Sequence, residues 1–106
     1  MSMSFLFAMA CRRAEKSPLT VTGVSNGGGM TARLGCELSE RLAGVASVAG
    51  GYRALPPCKP KRPLPVLEIH GTADQVVPYA GKPPDYNGSV KRWLWLWRRI
   101  DGCQGK

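Results

Sequence analysis

The chain has 106 residues, enough for one small domain. With 43% hydrophobic residues it can bury a core, which excludes a wholly disordered chain. The formal charge of +8 draws it towards anionic surfaces and permits nucleic-acid or membrane contact without demanding either.

The chain opens with "MSMSFLFAMACRR", apolar from Phe5 to Cys11. A secretory signal carries positive charge before its apolar stretch, whereas Arg12 and Arg13 follow it here. The stretch is far too short to span a bilayer, and no transmembrane segment occurs elsewhere. Residues 1–18 are read as an N-terminal helix remnant. Cys11, Cys36, Cys58 and Cys103 lie far apart, form no C-x-x-C pair and share the chain with one histidine, so no metal site is expected. Their spacing alone leaves the redox compartment open.

Residues 19–22, "LTVT", are β-branched and run into "GVSNG", which predicts a strand entering a tight turn. Met30, Leu34 and Leu38 then recur every four residues with Arg33, Glu37 and Glu40 between them. That spacing predicts an amphipathic helix over about 28–42, stopped by Gly44. The small apolar run 44–51 reads as a strand covered on both faces. Residues 52–65 hold five prolines and four basic residues, an irregular connection. "VLEI" at 66–69 is another strand, followed by the turn "HGTAD" and a loop over 78–88. In "SVKRWLWLWRRI", Val90, Trp93, Leu94, Trp97 and Ile100 share one helical face, opposite Lys91, Arg92, Trp95, Arg98 and Arg99.

Strands alternating with helices predict an α/β segment: a few parallel strands with crossover helices and no internal repeat. Three strands make a thin sheet, and complete folds of this type need ~200 residues. The 106 residues therefore read as a single partial domain.

The pentapeptide "GVSNG" fits G-x-S-x-G. A serine hydroxyl is a weak nucleophile and must be offered to a base and a carbonyl carbon without crowding. A strained strand-to-helix turn achieves this, provided its flanking positions are small, a part assigned here to Gly23 and Gly27. Ser25 is then the candidate nucleophile, and the backbone N–H of Asn26 the candidate oxyanion donor. A phosphate-binding P-loop would need a lysine after the glycines, and none follows. Asp74, just past a later parallel strand, stands where the acid of a Ser…Asp…His triad belongs; alone, it reads as a turn cap.

The blocks "TVTGVSNGGGMTARLGCEL", "VASVAG", "PLPVLEIHGTADQVVPYAG" and "WLWLWRRIDGC" resemble, in order, the polyhydroxybutyrate depolymerase and feruloyl-esterase-like family of secreted α/β-hydrolases. The resemblance covers residues 19–103. It implies an incomplete α/β-hydrolase segment that hydrolyses carboxylic esters through an acyl-enzyme, with Ser25 as nucleophile, Asp74 as acid and no cofactor. It also implies a Cys36–Cys58 bridge, a downstream partner for Cys103 and an extracellular location. The chain departs from the family at Gly29, usually a larger apolar residue. It departs further in lacking the region with the catalytic histidine and the upstream strands that carry the second oxyanion donor.

His70 is the sole candidate base within the chain, giving the order Ser…His…Asp. In the family that histidine opens the turn and orients the loop. Two other classes of function compete. Trp95 among Lys91, Arg92, Arg98 and Arg99 suggests a small basic module for nucleic acid or another polyanion, although a solvated basic helix face explains the same residues and no specific nucleic acid is expected. An amphipathic membrane-surface helix over 89–100 is the last. An open sheet edge in a partial domain further predicts self-association.

Overall fold

A computed structural model describes residues 5–9, 19–52, 58–82 and 89–103. Its elements are β1 (Phe5–Met9), β2 (Thr20–Val24), α1 (Asn26–Glu37), a 3-10 turn (Ser39–Arg41), β3 (Gly44–Val48), β4 (Val66–Gly71) and α2 (Val90–Ile100). The strands form one sheet in the order β1-β4-β3-β2. β2, β3 and β4 are parallel, as expected of a βαβ crossover. β1 lies antiparallel on β4, pairing Phe5 with Gly71 and Met9 with Leu67. Where the apolar run predicts a helix remnant, Phe5–Met9 is thus a strand. Short apolar runs fit either element, and here the open edge of β4 decides. The rest of 1–18 lies outside the described residues.

Parallel register places Val24, Val48 and Ile69 side by side, so β2 and β3 end level and β4 runs two residues further, to Gly71. On one face of the sheet, Val45, Ser47, Val66, Glu68 and His70 are buried beneath the helices. The alternate positions Ala46, Val48, Leu67 and Ile69 are half-buried. β3 is therefore covered fully on one face only among the described residues, not on both.

The core joins Ala32 and Cys36 of α1 with Val45, Tyr52, Leu64, Val66, Val90, Trp93 and Trp97. α2 follows its sequence pattern, with Val90, Trp93 and Trp97 buried and Leu94 and Ile100 packed against the core. Ser89 caps it by accepting from the Arg92 N–H at 3.1 Å. At the other end, Asp101 Oδ1 accepts from the Leu64 N–H at 2.8 Å, tying α2 to the approach to β4.

α1 departs from its predicted bounds and face. It ends at Glu37, and Gly44 opens the next strand rather than stopping the helix. The expected apolar stripe faces outward: Met30 is 61% exposed and Leu38 is 37% exposed. The buried stripe is Gly28, Thr31, Ala32, Gly35 and Cys36. A Cβ on Gly28 would lie 2.7 Å from the Val48 carbonyl oxygen and 2.9 Å from Gly50 Cα. The backbones approach so closely that small residues alone fit between them.

Cys36 and Cys58 form a disulfide, with Cα atoms 5.1 Å apart. Cys103 is also disulfide-bonded.

Candidate active site

Ser25 stands between β2 and α1 with φ 60° and ψ −116°, a region that residues with a Cβ rarely adopt. Its N–H donates to the Val48 carbonyl at 2.8 Å, which fastens the turn to the end of β3. Its carbonyl accepts from Gly29 N–H at 3.1 Å, and its hydroxyl caps nothing. The residue is exposed. Which glycines the turn requires is decided by close approach. A Cβ on Gly23 would overlap the Gly27 carbonyl, whereas one on Gly27 would meet nothing within 4 Å. The small positions the geometry demands are therefore Gly23 and Gly28, rather than Gly23 and Gly27. The Asn26 N–H belongs to the first turn of α1, where backbone donors lack an intrahelical acceptor and can serve an anion.

Asp74 lies past the end of β4. Its Oδ1 accepts from the N–H groups of Val76 and Val77, each at 2.9 Å, closing the turn. Its side chain keeps 20% exposure, and Oδ2 lies 3.7 Å from His70 Nε2. The sheet thus brings Ser25 and Asp74 to the same edge, at the ends of β2 and β4. One strand separates them, two strand spacings or roughly 10 Å across the sheet.

His70 is 1% exposed, and both of its ring nitrogens are engaged. Nε2 donates to the Val77 carbonyl at 2.7 Å, and Nδ1 faces Glu68 Oε1 at 3.2 Å. A general base needs a lone pair aimed at the hydroxyl it deprotonates, and His70 offers none towards Ser25. Its contacts make it a clamp on the Asp74 turn.

Behind it lies a polar group that the sequence reading missed. The Tyr52 hydroxyl donates to Glu68 Oε2 and lies 2.8 Å from Ser47 Oγ, which donates to the Gly28 carbonyl at 2.9 Å. Burial pushes the Glu68 carboxyl up to about 7, against the opposing pull of its hydrogen bonds from Tyr52 and His70. Burial, then the Glu68 charge, raises both Tyr52 and Tyr79. The alternation of Ser47, Glu68 and His70 on the buried face could have signalled this cluster. "VLEI" instead reads simply as a strand, and Tyr52 as part of a loop.

Among the described residues no group of three or more His, Cys, Asp or Glu could hold a metal ion. No described helix is long and apolar enough to cross a membrane.

Comparison with known proteins finds no matching family model and no matching solved structure. Two curated proteins are similar. In an alignment of 101 positions that covers 79% of the chain, it is 36% identical to feruloyl esterase B of Piromyces equi. It is 41% identical over 70 residues, 65% of its length, to "Putative esterase NocK" of Nocardia uniformis subsp. tsuyamanensis. It spans 18% and 20% of those two proteins, about a fifth of each. The chain is a partial α/β fold whose curated relatives are named as esterases.

Proposed function

We propose that this chain is the nucleophile-and-acid segment of a serine carboxylic-ester hydrolase of the polyhydroxybutyrate depolymerase and feruloyl-esterase-like kind. Ser25 is the nucleophile on its elbow, Asp74 the triad acid and Asn26 N–H one oxyanion donor. The observation that carries the reading is the backbone of Ser25, held at positive φ on a strand-to-helix turn that glycines alone allow. Strain of this kind costs about 1–3 kcal/mol and persists where presenting a side chain compensates for it. The esterase-named relatives support the same class.

The base comes from outside these 106 residues, whose single histidine is committed to Glu68 and Val77. Loss of a triad member costs several powers of ten in rate, so the chain by itself is a feeble esterase. The substrate is a polyhydroxyalkanoate, feruloyl or short-chain acyl ester. The Cys36–Cys58 bridge suits secretion into an oxidising compartment.

The test is p-nitrophenyl butyrate hydrolysis with added imidazole as a surrogate base, comparing the chain with Ser25→Ala and Asp74→Asn. Turnover above the Ser25→Ala background that rises with imidazole supports the reading. Identical rates for chain and variant sink it.

A specific observation favours one second reading, a polyanion-binding face. A groove of about 490 Å³ beside α2 is lined by Tyr79, Leu94 and Trp95 together with Lys91, Arg98 and Arg99. Trp95 is 50% exposed, and the Arg99 guanidinium lies 4.9 Å from its ring centroid. Binding of a single-stranded oligonucleotide that survives moderate salt and is lost in Trp95→Ala would support it. Binding confined to low salt and lost as salt is raised would reduce it to unspecific charge.

A further inference from the structure

The Ser25 and Asp74 turns sit on different strands, yet one buried chain of polar contacts runs between them. It begins at the Gly28 carbonyl in the first turn of α1, three residues after Ser25. It passes through Ser47 Oγ, the Tyr52 hydroxyl, the Glu68 carboxyl and the His70 ring, and ends on the Val77 carbonyl. The N–H of that same Val77 donates to Asp74 Oδ1. Ser47 and Glu68 are 0% exposed, His70 1% and Tyr52 5%.

Hydrogen counting fixes the protons at the His70 end of the chain. Val77 offers His70 a carbonyl, which can only accept, so Nε2 must carry a hydrogen. A neutral imidazole has one N–H, which leaves Nδ1 as an acceptor facing Glu68 Oε1. The contact is then satisfied only while the carboxyl is protonated. Equivalently, the hydrogen sits on Nδ1 and the pair is imidazolium and carboxylate. Either way the pair holds two protons. Remove one, and a single N–H faces two acceptors; the charged Glu68 carboxylate is the stronger of them, so the Val77 contact is the one given up. Among the described residues, the other groups around the pair are the hydroxyls of Ser47 and Tyr52, the Tyr79 ring edge-on to His70 at 6.0 Å between centroids, and Asp74 Oδ2 at 3.7 Å. None of them supplies a replacement cation.

We propose that Tyr52, Glu68 and His70 are positioning residues that couple the Ser25 turn to the Asp74 turn, and that loss of one of the two protons shared by Glu68 and His70 frees the Val77 carbonyl and loosens the Asp74 turn. This deepens the esterase reading, since it names what holds the proposed acid in place, but its structural part can be tested without turnover.

The experiment follows the Val76, Val77 and Gly28 backbone amides of the 15N-labelled chain by NMR from pH 5.5 to 8.5, with hydrogen-exchange protection measured at each end. In the unmodified chain, the Val77 amide signal moves through a single step, and Val77 protection falls by about tenfold above it. Glu68→Gln keeps the held arrangement at every pH, because the amide N–H donates to Nδ1 and its oxygen accepts from Tyr52. Val77 then shows no step. Tyr52→Phe keeps the Val77 step and uncouples Gly28 from it. A Val77 step of the same size and midpoint in Glu68→Gln, or no step in the unmodified chain, overturns the proposal. Because no turnover is read, an intact coupling with no Ser25-dependent hydrolysis would fault the esterase reading alone. Glu68→Gln is isosteric and tests the idea even if Glu68→Ala fails to fold.

Discussion

The two helices pack against one sheet by opposite means. α2 buries large side chains, with Trp97 1% exposed and Trp93 stacked on Tyr52 at 4.2 Å between ring centroids. α1 buries glycines, Thr31, Ala32 and Cys36, and turns Met30 and Leu38 outward. They meet at Gly35, where an added Cβ would lie 3.5 Å from both the Trp97 ring and Val45. α1 follows directly from the Ser25 turn, so its first residues start almost in contact with β3 and have no room for bulk. α2 arrives after a long loop and can stand off by the thickness of an indole. Apolar size therefore marks the buried face of a helix only where the chain leaves it free to choose its distance.

The sharpest test of that contrast is Trp97→Ala, which should cost about 4 kcal/mol by urea denaturation. A loss near that expected for a surface site would show that α2 does not hold the core as described. Next comes the turn itself. Gly23→Ala sets a Cβ against the Gly27 carbonyl and should cost about 3 kcal/mol, while Gly27→Ala, in open space, changes stability by less than about 0.5 kcal/mol. Equal losses at both would refute the account of the turn. Removing the Cys36–Cys58 bridge, which anchors the C-terminal end of the α1 stripe, by the double substitution Cys36→Ser and Cys58→Ser should lower stability by roughly 3 kcal/mol, read as a fall in melting midpoint.

The next expected effect concerns pH. The Glu68 carboxyl is raised from an ordinary 4.5 to about 7, so between those values the folded chain keeps a proton that the unfolded chain has released. Stability then falls as pH rises through that window, by at most roughly 3 kcal/mol, and flattens above it. Denaturation curves at pH 4.5, 6 and 7.5 check this, and Glu68→Gln should remove the slope. The smallest effect is Met30→Ala, within about 0.5 kcal/mol, because its side chain lies in water despite its place in the apolar pattern. A large loss there would restore the stripe that the spacing predicts.

Much of the topology was legible. The alternation of β-branched runs with helical spacing is a local property, and β2, α1, β3, β4 and α2 follow it in order. The shared edge of the Ser25 and Asp74 turns was legible because each turn follows a strand, and parallel strands bring such ends to one edge. β1 was not, since five apolar residues carry no period and its partner lies some sixty positions away. The polar chain was invisible for a related reason: Ser47, Tyr52, Glu68 and His70 come from two strands and a loop, and nothing local says that their side chains converge. The disulfide came through likeness to known sequences rather than through spacing.

Tyr52 carries one further consequence. Its ring lies nearly parallel to Trp93, 7° between planes, while its hydroxyl rests on Glu68. Two stacked chromophores of fixed orientation give a dichroic signal in the near ultraviolet that vanishes when either ring turns. The chain therefore carries a built-in optical gauge. Light absorbed at the α2 side of the core should register a rearrangement of the Glu68 carboxyl before the helices themselves melt.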